Sequence, residues 1–222
     1  EIKKIAEAEK IGDMAFEYVL GRIKEGVTER EIALDLEFFM KKQGATALSF
    51  DTISASGIRS AMPHGIATDK KIENGDFLTL DFGCVFEGYC SDMTRTVVVG
   101  KANDKQKEIY NTVLKAQTTA IEAIKAGMKC SEVDGVARKI ITDAGYGENF
   151  GHSLGHSVGI EIHENPSFSP KNNAVVQNGN VITVEPGIYI DGFGGVRIED
   201  LIVVQNGKAV NLTSSPKELI EI

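Results

Sequence analysis

Tryptophan is absent from this 222-residue sequence, aromatic residues make up only 7% of it, and no more than three cysteines and five prolines occur. Each scarcity closes off a class of protein. Cys84, Cys90 and Cys130 are odd in number and show no CxxC spacing. They make neither a disulfide framework nor a cysteine zinc site and read as reduced thiols of a cytoplasmic protein. No apolar run approaches the ~20 residues that span a bilayer, and no signal peptide opens the chain, so no membrane partner is expected. Lysine and arginine total 24 against 32 acids, a net charge of −8. Without a dense basic cluster, that balance speaks against nucleic acid as a partner. The chain opens on Glu1 rather than methionine, which suggests that an N-terminal part lies outside it. What remains, 42% apolar and 25% charged, is ordinary for a globular enzyme with a sizeable core.

Two stretches organise the rest: NGDFLTLDFG at 74–83 and NGNVITVEPG at 178–187. Each opens on an Asn-Gly turn signal, runs through apolar residues around a threonine, and reaches one carboxylate, Asp81 or Glu185, two residues before a glycine. Each then turns back through a glycine-containing loop to a second carboxylate, Asp92 or Glu199. Two β-hairpins with an acid on both arms are the result. Acids in apolar strands are costly unless a positive charge compensates them, so the four carboxylates are expected to meet around metal ions.

Along the chain, Phe16, Val19, Leu20 and Ile23 predict a helix stopped by Gly26, and Thr28 with Glu31 a capping box for a second helix ended by Gly44. The following segment, 49–73, reads as strand and loop, with His64 after Pro63. The pattern then restarts. Asn103 caps a helix carrying Ile109, Val113, Ala116, Ala120 and Ile124, stopped by Gly127; another carries Val133, Ala137 and Ile141, stopped by Gly145. Ala15–Gly44 aligns without gaps on Ala116–Gly145, sharing Lys24/Lys125, Gly26/Gly127, Glu31/Glu132 and Gly44/Gly145. The hairpins match as well, Thr79 on Thr183. A helix–helix–hairpin unit therefore occurs twice, and the expected architecture is α+β, two pseudo-symmetric halves with the acids on the inner face near the pseudo-twofold axis.

Four histidines occur, at 64, 152, 156 and 163, three of them within FGHSLGHSVGIEIHENP. The His152/His156 spacing would suit a zinc pair on a helix, but Gly151, Gly155 and Gly159 disfavour a helix there. A glycine-rich strand and loop instead lets the backbone approach a ligand closely.

The set Asp81, Asp92, His156, Glu185 and Glu199, in this order and spacing, resembles the five-ligand dimetal site of the pita-bread (creatinase/methionine aminopeptidase-like) metallopeptidases. SGIRSAMPHG, HSLGHSVGIEIHENP, VEPGIYI and VRIEDL are similar to stretches of Xaa-Pro aminopeptidases and prolidases. Methionine aminopeptidases lack the RIED pattern, and creatinase has the fold without the metal ligands. The resemblance implies the pita-bread fold, with a curved antiparallel sheet covered by helices. It also implies one catalytic domain over 1–222, with halves at about 1–100 and 101–222 and the family's N-terminal domain absent.

The implied reaction is hydrolysis of an N-terminal Xaa-Pro bond by a hydroxide bridging two divalent ions, Mn²⁺ or Co²⁺, with Zn²⁺ or Fe²⁺ as alternatives. By the same resemblance, Asp92 and Glu199 bridge, Asp81 completes one ion's shell, and His156 and Glu185 complete the other's; Glu185 counts with the catalytic residues. His64 and His163 contact the scissile carbonyl, His163 helping a proton to the departing nitrogen. His152 lies near the proline or its carboxylate, and Arg197 binds substrate, orients a ligand carboxylate, or makes a structural ion pair. Thr94 and Thr183 are read either as holding ligand carboxylates through their hydroxyls or as plain surface or core threonines. The substrate is a peptide with proline second, and a homodimer is implied. A methionine aminopeptidase and a non-catalytic peptide-binding module are the competing readings.

Overall fold

Four helices form where the apolar stripes and caps predict them: α1 (Ile2–Leu20), α2 (Glu29–Lys42), α3 (Asp104–Ala123) and α4 (Cys130–Asp143). The computed structural model describes residues 1–222. The expected capping box of Thr28 with Glu31 is present on α2, and the expected cap Asn103 forms one with Gln106 on α3. Each satisfies two N-terminal donors that the helix itself leaves unpaired. Gly44 and Gly145 close α2 and α4 with φ of +104° and +90°, and the next amides, Ala45 and Tyr146, reach back to Met40 and Ile141. A left-handed residue is what this turn needs, which is why glycine recurs at both places.

The other repeated glycine has a different cause from the one expected. Helices α1 and α3 end at Leu20 and Ala123, short of Gly26 and Gly127. Both helices close early because Arg22 and Ile124 bond back three residues, tightening the last turn. Gly26 and Gly127 then donate to the Ile72 and Val176 carbonyls, each at 2.9 Å. Those carbonyls lie just upstream of the two acid-bearing strands, so the shared glycine marks where each helix pair is tied to its sheet.

All ladders between strands are antiparallel, and each long hairpin is broken in two. In the first half the base is Phe77–Phe82 paired with Met93–Val98, and the tip is Cys84–Phe86 paired with Tyr89–Cys90. The second half repeats this with Val181–Val184 against Asp200–Gln205 and Gly187–Ile190 against Gly194–Arg197. Base and tip belong to separate sheets. The four acids sit at the hand-over: Asp81 and Asp92 at the first break, Glu185 and Glu199 at the second. Strand ends leave backbone ladders incomplete, so side chains there can face a common cavity.

Two large apolar clusters fill the core, one of 18 residues beneath α1 and α2 and one of 25 beneath α3 and α4. Phe77 and Val98, from the first half's main ladder, belong to the second half's cluster. The two halves therefore share a core. Residues 213–222 cross back to the first half, where the Val98 amide donates to the Ile220 carbonyl and the Ile222 amide to the Val98 carbonyl.

Candidate metal centre

The two hairpin breaks meet at the floor of a cavity of about 530 Å³ lined by Asp81, Asp92, His156, Glu185, Arg197 and Glu199 among others. One ligand atom each from Asp92, His156 and Glu199 lie within 4.8 Å of one another. His156 Nε2 is 3.4 Å from both Asp92 Oδ2 and Glu185 Oε1. All five residues expected to ligate metal thus line one cavity.

Local sequence explains how His156 arrives there. It lies on the strand Gly155–Ser157 rather than on a helix. A Cβ on Gly155 would stand 1.9 Å from the Thr183 carbonyl oxygen, so only glycine lets this strand press against the one leading to Glu185. Thr183 Oγ1 then accepts the His156 N–H at 3.0 Å and donates to Glu185 Oε1 at 3.1 Å. His156 Nδ1 contacts the Ser157 carbonyl at 3.2 Å. As the donor there, Nδ1 leaves the Nε2 lone pair facing Asp92 and Glu185.

The electrostatics identify what the site needs. Burial pushes the His156 pKa down to about 4, so at neutral pH its ring offers a lone pair, not a charge, and its carboxylate contacts are not ion pairs. Burial, then the nearby charges of Glu199, Asp81 and Glu185, raises Asp92 well above the carboxylate range. Glu199 is raised by burial, Glu185 and Asp81; burial lifts Glu185 to about 8. Asp81 Oδ1 is buried without any hydrogen-bond partner. Carboxylates facing one another with a neutral imidazole, and an unpartnered oxygen among them, make a hard donor set that a divalent cation satisfies.

Arg197 is the one cation at the floor. Burial works against its charge, but Tyr189, Asp81 and Glu185 hold its pKa well above the usual value. It donates to Asp81 Oδ2 at 2.5 Å, to the Tyr189 hydroxyl at 2.7 Å and to Thr94 Oγ1 at 3.1 Å. Thr94 in turn donates to Glu199 Oε2 at 2.6 Å. Arg197 lines the cavity, yet its guanidinium is engaged by a neighbouring acid, the ion-pair role the sequence leaves open.

The other histidines stand on the wall. His64 and His163 are exposed and line the cavity, and the His163 ring lies 4.3 Å from that of His156. His152 Nε2 meets the Tyr189 hydroxyl at 2.9 Å, and burial, followed by the Arg197 charge, lowers its pKa to about 4.

Sequence reading misses Tyr189, which joins His152 to Arg197. A Cβ on Gly187 or Gly195 would fall 2.5 Å or 2.8 Å from Tyr189 atoms; the two glycines leave the slot its ring fills. It also misses Glu9, a fully buried acid on α1 that accepts the Asp92 N–H at 3.3 Å and the Thr213 hydroxyl at 2.6 Å. In sequence Glu9 is one acid among many on an amphipathic helix, with nothing to single it out.

A pH dependence follows for the metal-free protein. An acid whose folded pKa exceeds its unfolded value stabilises the fold fully below the unfolded value and loses that contribution as pH rises through the folded one. Glu9 and Glu185, each raised to about 8, act this way. His152 and His156, lowered to about 4, oppose the trend only below their unfolded value of 6.5. Melting curves in chelator should therefore fall in Tm from pH 6.5 to 8, and Mn²⁺ should flatten the slope. A Tm that rises over that window without metal would contradict the protonated cluster.

Comparison with known proteins places these observations. The profile of metallopeptidase family M24 matches residues 3–206. An Xaa-Pro dipeptidase of Pyrococcus horikoshii is 51% identical over 220 residues, 99% of this chain and 63% of that protein. Among solved structures, an Xaa-Pro dipeptidase from Bacillus anthracis superposes with a TM-score of 0.99 at 56% identity, covering 100% of this chain and 62% of that one. An X-Pro aminopeptidase from Thermotoga maritima gives a TM-score of 0.98 at 46% identity, covering 100% and 62%. The chain thus spans less than two thirds of the length of these relatives.

Proposed function

This chain belongs to metallopeptidase family M24, and on that premise we propose that it hydrolyses the bond between an N-terminal residue and a following proline. The observation that carries the reading is the set of four carboxylates and one neutral imidazole at the cavity floor. The named relatives, Xaa-Pro dipeptidases and an X-Pro aminopeptidase, support the substrate class.

Asp81, Asp92, His156, Glu185 and Glu199 would hold two divalent ions, Mn²⁺ or Co²⁺ in our reading. When bound, such ions supply Lewis acidity and bring a coordinated water's pKa towards ~7. The chain's own residues do the rest. Thr94 and Thr183 fix Glu199 and Glu185 through their hydroxyls, and Arg197 holds Asp81 in place. His64 and His163, exposed on the wall, donate to the scissile carbonyl oxygen; His163 also passes a proton to the leaving nitrogen. His152, kept neutral and held by Tyr189, packs against the proline end. An Xaa-Pro bond has no N–H, so a site that acts on the carbonyl and does not require that donor can accept it. The three buried, unpaired cysteines fit a cytoplasmic setting.

The test compares a Leu-Pro peptide with a Met-Ala peptide after chelation and readdition of metal. Mn²⁺ or Co²⁺ should restore cleavage of the first and leave the second nearly uncut. Preference for Met-Ala would replace this reading with a methionine aminopeptidase, and no cleavage of either with a binding module.

A further inference from the structure

Pro63, His64 and Ile66 reach the cavity from a loop that contributes little burial of its own. Three of its apolar side chains, Ile58, Met62 and Ile66, are 62%, 52% and 60% exposed. Hydrophobic packing therefore does not explain why this loop holds one position. Hydrogen bonds do, and they converge on Glu29, the first residue of α2.

The Glu29 side chain is fully buried, and its two oxygens accept from five donors. The Ser56 amide and hydroxyl reach Oε1 at 2.7 Å and 3.0 Å. The Thr68 amide and hydroxyl reach Oε2 at 3.1 Å and 2.7 Å. Arg59 Nε lies 3.2 Å and 3.1 Å from the two oxygens. Ser56 and Thr68 are the two ends of the loop, and Arg59 is inside it. From there Arg59 Nη2 donates to the Ile66 carbonyl at 2.7 Å, two residues beyond His64. One carboxylate thus closes the loop at its base and, through a guanidinium, braces its far limb. The inner side is tied separately: the Gly195 amide donates to Ser60 Oγ at 2.9 Å, on the strand that carries Arg197.

We propose that Glu29, which does not line the cavity, is a positioning residue that sets His64 against the substrate through the Glu29–Arg59 clasp. The inference rests on the role given to His64 above. It requires no contact between Glu29 and either metal ligands or substrate. Its loss should lower turnover while leaving the metal content of the centre intact.

The experiment uses this chain loaded with Mn²⁺, with Glu29→Gln and the milder Thr68→Val, which removes one donor of five. Three quantities are read: hydrogen exchange of the 57–68 amides, kcat and KM on a Leu-Pro peptide, and metal bound per chain. In Glu29→Gln the loop amides should exchange faster. The value of kcat/KM should fall by about tenfold to a hundredfold, the cost expected when a reacting group is displaced by about an ångström. Metal content should stay at the parent value. Thr68→Val should shift exchange and kcat/KM the same way by less.

Unchanged exchange in both variants overturns the clasp. Faster exchange with parental kcat/KM overturns its link to His64, and a rate loss that tracks metal loss assigns Glu29 to general stability instead. Should the parent chain cleave no Xaa-Pro peptide, the proposed function fails. The clasp is then judged by exchange and by the rate at which diethyl pyrocarbonate modifies His64, expected to differ between Glu29→Gln and parent.

Discussion

Glu199→Gln is expected to lower Xaa-Pro hydrolysis by at least a hundredfold and to reduce the metal bound per chain. Loss of a residue that merely orients a ligand costs about 10- to 100-fold in affinity or activity, and Glu199 is proposed above as a ligand itself. The amide keeps an oxygen for the Thr94 hydroxyl, which lies 2.6 Å from Oε2, so the change removes charge and leaves the packing. This gives the variant a second, opposite signature. Burial, then repulsion from Glu185 and Asp81, raises the Glu199 pKa, so without metal this acid strains the fold. Metal-free Glu199→Gln should melt no lower than the metal-free parent, and the stabilisation conferred by Mn²⁺ should shrink. Metal analysis, turnover and paired melting curves read all three. A variant that keeps both metal and rate would remove Glu199 from the centre.

Asp200→Ala should have the largest effect on stability. Arg95 is 1% exposed and donates to Asp200 Oδ1 and the Ser215 carbonyl at 2.7 Å and 2.8 Å. It also reaches the Pro216 and Thr94 carbonyls at 2.9 Å, and the Glu199 carbonyl. Burial opposes the Asp200 charge, but Arg95 and Lys217 outweigh it and hold its pKa below the usual value. Its contribution is therefore present above the unfolded pKa and lost as pH falls through the folded one.

Removing Asp200 leaves a buried guanidinium without its counter-charge, which costs about 3–5 kcal/mol and should lower Tm by about 10 °C. Lys217→Met, which removes a partner that is 24% exposed, should cost much less. A Tm for Asp200→Ala close to the parent's would show that the carbonyls alone satisfy Arg95. Because Arg95 also holds the Thr94 and Glu199 carbonyls, the same variant tests how far the centre depends on this brace.

Much of this is legible in the chain itself. The repeat survives in sequence because αL glycines and capping glutamates tolerate few substitutes: Gly44 and Gly145 recur for one geometric reason, and Glu31 and Glu132 each accept the amide of the residue that precedes its helix, Thr28 and Lys129. The four candidate carboxylates stand out because an acid set among apolar strand residues is costly to bury until a cation meets it, whereas His156 is picked from four histidines only by the family resemblance. Glu9, Arg95 and Tyr189 are not legible, since what defines them is a partner far along the chain. Glu9 meets Thr213, and Arg95 meets Asp200 and Ser215. Local patterns carry no trace of such distant pairings. Sequence alone misplaces the ends of α1 and α3 for a related reason: Gly26 and Gly127 answer to Ile72 and Val176, not to their own helices.

The return of residues 213–222 to the first half bears on the order in which the molecule can assemble. Val98 and Gly100 bond to Ile220 and Ile222, and Asp13 of α1 accepts the Ser214 and Ser215 amides. During synthesis the first acid hairpin leaves the ribosome well before the segment that borders its sheet exists. Long-range closure of this kind is slow and leaves edges exposed meanwhile. The edge of the first half's sheet can therefore be completed only after the second half has been made.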